Sequence, residues 1–298
     1  MNVQRKLPLG LAAGAVLAAL ATVAAAQQQP APLKVANIKD NIYWTQGGAG
    51  GNTGIIVGTT GVIVVDTKTT VDSSKDVQAE IAKITPKPVD TAIVTHSDGD
   101  HVNGLAGFSP GLTIIAQENC RKEMEASAGG RGAAPQDRLP TKLIAKDESM
   151  TIDGVHVRLL HWAPAHTSGD LVVYFPDQKV VFGGDLLVTN RPDTNIHVDK
   201  HGSAAGWMEN AKGMIALDAN VYVTGHGDLM TKDDVKKKLA FIQDKWDKIK
   251  AMSAQGKSLD EVKTAMGEST APPVPNAQGN MPAPTLTEVM YNEITKKS

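Results

Sequence analysis

The sequence predicts an α+β chain in which two β-sheets pack face to face and helices cover their outer sides. Short apolar runs of strand length, among them Val62–Asp66, Thr91–Thr95, Leu171–Phe175 and Val180–Phe182, alternate with stretches of helical period. They fall into two strand-rich halves, roughly residues 33–140 and 141–298, each with helices of its own. Stacking the two sheets inside their helices would bury both sets of apolar strands.

Taken in order, Leu33–Ile38 and Asn41–Thr45 are short alternating strands, followed by the glycine-rich stretch Gln46-Gly47-Gly48-Ala49-Gly50-Gly51-Asn52. No Gly-Lys-Ser/Thr follows it, so it is no phosphate loop; it reads as a hairpin tip beside a pocket or as a plain turn. Gly54–Gly58 and Val62–Asp66 form a hairpin turned by Thr59-Thr60-Gly61. Val77, Ile81 and Ile84 give residues 72–84 a helical face, which Pro86 and Pro88 end. The strand Thr91–Thr95 follows, then a short helix Val102–Phe108 starting just after His101, a strand at Ile114-Ile115 and a helix Glu118–Ala126. Residues 127–140, with Gly129, Gly130, Gly132 and Pro135, read as a surface insertion.

The second block starts near Leu143. Ser149–Ile152 and Val155–Trp162 pair across Asp153-Gly154, and Leu171–Phe175 and Val180–Phe182 pair across Pro176-Asp177. Helices are expected over Ala204–Leu217 and Lys232–Met252, with the strand Val221–Val223 between them. In the long helix Val235, Leu239, Ile242, Trp246, Ile249 and Met252 line one face, and most of its lysines lie off that stripe. The domain is bounded at 33–270, and 271–298 is a Pro-rich tail carrying a short helix.

The chemistry concentrates in Thr95-His96-Ser97-Asp98-Gly99-Asp100-His101. Two imidazoles and two carboxylates within six residues are costly to desolvate unless something pairs them, and dications do so. His96 and Asp98 can aim at one point as the chain leaves its strand, and Asp100 and His101 at a second. Three later motifs supply further donors beside glycines at strand ends or turns: His166 in Ala165-His166-Thr167-Ser168-Gly169-Asp170, Asp185 after Gly183-Gly184, and His226 in Thr224-Gly225-His226-Gly227.

This order of motifs resembles the metallo-β-lactamase superfamily, whose pattern is His-x-His-x-Asp-His, a His in a Gly/Ala-His-Thr-x-Gly turn, Gly-Asp, then Gly-His-Gly. The resemblance runs from about residue 33 to 250. It implies an αβ/βα four-layer sandwich of two mixed sheets, with a two-metal site at one edge. It further implies that His96, Asp98 and His166 hold one metal, that Asp100, His101 and His226 hold the other, and that Asp185 bridges them. Asp66 is similar to the buried carboxylate that supports the metal loop. Two divalent ions are expected, zinc first, with iron or manganese as alternatives. The implied reaction is hydrolysis of a small-molecule substrate, in which a hydroxide at the metals attacks an acyl-type bond (ester, lactone, thioester or β-lactam) while Asp100 relays its proton.

Asp98 departs from the pattern, standing where the family carries its second histidine. It lowers the net charge of the loaded site by one unit, which should weaken the metals as Lewis acids and favour harder ions. An iron-containing redox member and a catalytically weakened metal-binding protein are therefore the alternatives. Asp185 points away from true β-lactamases, which usually place Cys or Ser there. His197 is a candidate for the pocket lining, whereas His161 reads as a core or edge residue and His156 as a plain strand residue. Arg191 and Lys200 read as solvated.

The start of the chain pairs Arg5 and Lys6 with an almost uncharged run from Leu7 to Ala26 that ends Ala24-Ala25-Ala26. That is the pattern of a cleaved signal peptide, 1–26, followed by a Gln/Pro/Ala linker at 27–32, and it predicts a periplasmic or secreted protein with no stable membrane anchor after cleavage. Cleavage would leave 272 residues with a net charge of about −4, a balance that argues against nucleic acid as a partner. Cys120 is the only cysteine, so no internal disulfide can form.

Overall fold

The computed structural model describes residues 31–127, 136–276 and 281–296. The expected signal peptide, most of the linker, and the centre of the 127–140 insertion lie outside the described residues. Strands β1 (Lys34–Lys39), β2 (Ile42–Gln46), β3 (Thr53–Val57), β4 (Val62–Val65), β5 (Val89–Ile93), β6 (Thr113–Gln117) and β7 (Lys142–Ile144) form one sheet in sequential order. The first four run antiparallel and the β4-β5, β5-β6 and β6-β7 pairs are parallel. The second sheet is ordered β12-β11-β10-β9-β8, from β8 (Glu148–Ile152), β9 (Val155–Leu160), β10 (Val172–Phe175), β11 (Val180–Phe182) and β12 (Val221–Val223). Only its β11-β12 pair is parallel.

Side-chain alternation decides which residues fill which layer. Ile63 and Val65 of β4 meet Val173, Phe175 and Phe182 in the apolar layer between the sheets. Their neighbours Val62 and Val64 point the other way, onto Val77 and Ile81 of α1 (Val71–Ile84) and onto Cys120 and Met124 of α3 (Glu118–Ala126). Behind the second sheet, Val172, Tyr174 and Tyr222 pack on α4 (Ala204–Ala216) and α5 (Lys232–Ala254), around the fully buried Trp207. The result is the expected four-layer αβ/βα sandwich.

Three placements differ from the sequence reading. β7 joins the first sheet beside β6, so the second block begins at β8 rather than near Leu143. The helix after β5 starts earlier than predicted: α2 spans Gly99–Val102 and passes into a 3-10 turn over Asn103–Gly107, which puts Asp100 and His101 on its first turn. Beyond α5, α6 (Leu259–Ala265) was not anticipated, and the tail helix α7 (Leu286–Thr295) buries Leu286, Val289 and Met290 against the α4-α5 layer. Capping boxes at Thr231/Asp234, Ser258/Glu261 and Thr285/Glu288 start α5, α6 and α7, each contributing about 1 kcal/mol.

The predicted apolar stripe of α5 packs inward, but Lys245 is buried as well and pairs with Asp193 at 2.7 Å. No helix among the described residues is long and apolar enough to cross a membrane.

Candidate metal centre

The C-terminal ends of the two parallel pairs, β4-β5 and β11-β12, lie at one edge of the sandwich, where open α/β sheets commonly place their ligands. Asp66 follows β4, His96 follows β5, Asp185 follows β11 and His226 follows β12. The connection from β9 to β10 returns to the same edge and carries His166. Main-chain bonds lock the two sheets there: Leu171 N–H donates to Thr95 O (2.7 Å) and Asn52 N–H to Gly225 O (2.7 Å). Glycine is needed at two of these contacts, since a Cβ on Gly51 would fall on the His101 ring and one on Gly225 on the Asp185 carboxylate.

All seven residues expected to ligate metal converge. His96, Asp98 and His166 present one ligand atom each within 4.8 Å of one another, and so do Asp100, His101 and His226. Asp185 stands between the two sets. Its Oδ1 is 3.3 Å from His101 Nε2 and 3.5 Å from His226 Nε2, while its Oδ2 faces His166 Nε2 at 3.9 Å.

Each buried imidazole is held by its outer nitrogen. His101 Nδ1 bonds Asp66 Oδ2 (2.8 Å), His166 Nδ1 donates to Asn195 O (2.8 Å), and His96 Nδ1 meets Thr95 Oγ1 (3.0 Å), whose hydroxyl also reaches Asp66. That pattern leaves Nε2 aimed inward on all three, as metal-binding histidines require. Asp66 itself has φ +62 and accepts Thr95 N–H at 2.8 Å, a strained backbone fixed by the groups around it.

The donor set fits a pair of cations. Among the described residues, His96 Nε2 is buried without a hydrogen-bond partner, and Asp185 Oδ1 makes no aligned hydrogen bond despite its neighbours. Burial alone would raise the carboxyl pKa of Asp98 and Asp185. The imidazoles around them outweigh it and hold both well below the usual carboxylate range, with Asp100 at about 2. Burial works to lower His166 and His101, yet the hydrogen bond that His166 Nε2 donates to Asp98 raises His166 to about 9, and Asp66 with Asp185 raises His101 well above its ordinary value.

Both shifts favour the protonated imidazole in the metal-free chain, and a metal must displace those protons. Zinc uptake at pH 7 is expected to release protons, and zinc affinity to rise with pH up to about 9. Calorimetric titration in two buffers of different ionisation enthalpy reads this directly; equal heats in both would refute it.

Residues 47–226, more than half of the chain, match the family model described as the metallo-beta-lactamase superfamily. The chain belongs to the metallo-beta-lactamase superfamily. Among relatives, it is 31% identical over 172 residues to the alpha subunit of 2,4-dinitroanisole O-demethylase from Nocardioides sp. (strain JS1661), covering 57% of this chain and 51% of that subunit. It is 25% identical over 234 residues to the metallo-beta-lactamase type 2 of Elizabethkingia meningoseptica, covering 75% of this chain and 90% of that enzyme. Of solved structures, the stereoselective inverting sec-alkylsulfatase Pisa1 from Pseudomonas sp. superposes with a TM-score of 0.68 at 17% identity, over 88% of this chain and 50% of that one. The chain thus spans about half the length of the demethylase subunit and of the sulfatase.

Against the superfamily pattern, the surroundings of Asp98 hold what sequence reasoning missed. Lys200, expected to be solvated, places Nζ 2.6 Å from Asp98 Oδ1 and 3.0 Å from Ser97 Oγ. Its ammonium returns the unit of positive charge that Asp98 removes, which offsets the expected weakening of the metals as Lewis acids but leaves the preference of an oxygen donor for harder ions in place. Glu123 accepts the hydroxyls of Ser97 and Ser168, both at 2.6 Å, and so ties the loop of His96 to the loop of His166. The buried Lys68 donates to Gly47 O (2.7 Å) and Gly51 O (2.6 Å), fixing the glycine-rich stretch against the site.

His197 reaches the site as expected, with Nε2 3.1 Å from Asp98 Oδ2. His161 bonds Asp170 O, His156 pairs with Asp177 on the surface, and Arg191 is exposed. Burial pushes the Cys120 thiol well above its ordinary pKa, which removes it as a nucleophile.

Proposed function

We propose that the chain is an exported hydrolase with two metals, zinc in the first instance, that cleaves an acyl-type bond in a small molecule. One observation carries the reading: a carboxylate, Asp185, sits between two three-residue donor sets at a solvent-reaching edge, where it could bridge two ions. A dication pair held there supplies Lewis acidity and lowers the pKa of bound water toward neutrality.

His96, Asp98 and His166 would hold one ion, and Asp100, His101 and His226 the other. Asp100 is the proton acceptor of this reading: its side chain is 37% exposed, the most open carboxylate of the set, and its Oδ2 lies 3.0 Å from His226 Nε2. Its low pKa keeps it ionised at working pH, ready to take a hydrogen bond from incoming water. Export rests on the pattern of residues 1–26. The family match and the lactamase relative support a hydrolase; the choice of acyl substrates is ours.

The test is a substrate panel on the metal-analysed chain: aryl ester, thioester, lactone, cephalosporin, alkyl sulfate and aryl methyl ether. The expected result is about two zinc per chain and turnover of at least one acyl substrate, abolished by chelation and restored by zinc. Cleavage of only the sulfate or the ether would overturn the acyl assignment. Two irons with a visible ligand-to-metal band, and no turnover, would favour a redox protein.

A further inference from the structure

Asp98 leaves the first metal with two imidazoles instead of three, and the structure places another imidazole beside it. Asp98 Oδ2 is 3.1 Å from His166 Nε2, 3.8 Å from His96 Nε2 and 3.1 Å from His197 Nε2. Donors sharing one ion at zinc–nitrogen distances sit about 3–4 Å apart, so each of the three imidazoles stands from Asp98 at a separation that a shared ion allows. The ring relations repeat as well. His96 and His166 stand edge-on at 4.7 Å and 83°, and His166 and His197 at 4.8 Å and 79°.

His197 also shares the orientation of the other site imidazoles. Its Nδ1 faces Asp199 Oδ1 at 3.5 Å, leaving Nε2 toward Asp98. Its backbone is fastened to the His166 loop: His197 N–H donates to His166 O (2.8 Å), Ser168 N–H to Lys200 O (2.9 Å) and Ser203 N–H to Ala165 O (2.8 Å). The other group at Nε2 is the Asn195 side-chain amide, at 3.1 Å, and an ion would displace it. The two oxygens of Asp98 are divided between tasks, since Oδ2 faces the imidazoles while Lys200 occupies Oδ1. The carboxylate is thereby held to a single ligand atom, which leaves room for one more donor.

We infer that His197 is a ligand of the first metal, replacing the imidazole that Asp98 displaced from the superfamily pattern. The inference rests on the two-metal reading above, so its test reads metal binding and needs no turnover. The full chain, labelled with 15N-histidine and loaded with zinc, has eight histidines to score by their ring-nitrogen shifts. Five should carry a metal-bound Nε2 (His96, His101, His166, His197 and His226), and His156, His161 and His201 should not.

In zinc titrations, His197→Gln should weaken one of the two binding steps by about 100-fold or more and leave the other within threefold; loss of a ligand should at least match the upper effect of losing a ligand's support. His161→Gln should change neither step. Four metal-bound imidazoles in the wild type, or a His197→Gln chain that binds both ions as before, would overturn the inference while leaving two metals in place. A wild-type chain that binds no second ion would remove the two-metal reading with it. The count on the wild type stands even if the variant misfolds.

Discussion

Asp66→Asn is expected to abolish high-affinity metal binding at the His101 side of the site while leaving the fold largely intact. Asp66 accepts three hydrogen bonds, from Thr95 N–H (2.8 Å), Thr95 Oγ1 (2.7 Å) and His101 Nδ1 (2.8 Å). The carboxylate can only accept from His101, which holds a proton on Nδ1, so that the nitrogen a metal deprotonates and binds is Nε2. An asparagine amide in the same place can donate to Nδ1, which moves the proton to Nε2, the atom that must face the metal. Losing such support typically costs 10–100-fold in affinity, and a reversed tautomer should reach or exceed ~100-fold.

Asp66→Ala removes shape and charge together. It leaves the buried His101 and the Thr95 N–H without their acceptor, and the chain should lose about 3–5 kcal/mol of stability, the usual result of breaking a buried pair. Thermal melts of the metal-free variants, set beside zinc titrations, separate the two effects. An Asp66→Asn chain that binds both ions within threefold of wild type would sink the tautomer argument.

Much of this architecture was legible in the sequence because its signals are local. Val62–Val65 and Val180–Phe182 are apolar runs of strand length bounded by turns, and His96, Asp185 and His226 each come three residues after such a strand ends. What escaped is the part made by contacts between distant segments. β7 pairs with β6 across the 127–140 insertion, and no pattern in Lys142–Ile144 says which sheet it will join. The first turn of α2 begins at Gly99, after Asp98 in extended conformation at φ −68 and ψ 139, and apolar periodicity does not record that start.

Lys200 sits on a short irregular turn, Val198–Lys200, where a lysine looks solvated by default. One signal did point to it: a carboxylate substituted for a neutral ligand calls for a compensating cation, and a search for one would have come to the loop of His197. Glu123 gave no such signal, because its partners, Ser97 and Ser168, are ordinary loop serines in sequence.

That compensation makes Asp98→His the most informative substitution at the site. Judged by the superfamily pattern alone, histidine should restore an ordinary metal centre. Judged by the structure, it should do the reverse. Lys200 Nζ lies 2.6 Å from Asp98 Oδ1 with only 21% of its side chain exposed, so the variant leaves an ammonium facing an imidazole in a mostly buried position. The loaded site becomes one unit more positive than it is now, and the uncompensated charge should cost about 3–5 kcal/mol, or roughly 10²–10⁴ in affinity for the first ion.

Removing the lysine as well relieves that penalty, so Asp98→His/Lys200→Met should recover to within about tenfold of wild type. The double-mutant cycle over zinc affinity should then report a coupling between positions 98 and 200 of about 2 kcal/mol or more, the upper part of the range for residues in contact. If Asp98→His alone binds zinc as tightly as the double variant, Lys200 is not the partner of the carboxylate, and the departure at position 98 is a weakened site after all. If the double variant binds best of all, the Asp98-Lys200 pair serves something other than affinity, and the His197 side of the pocket is where that role would lie.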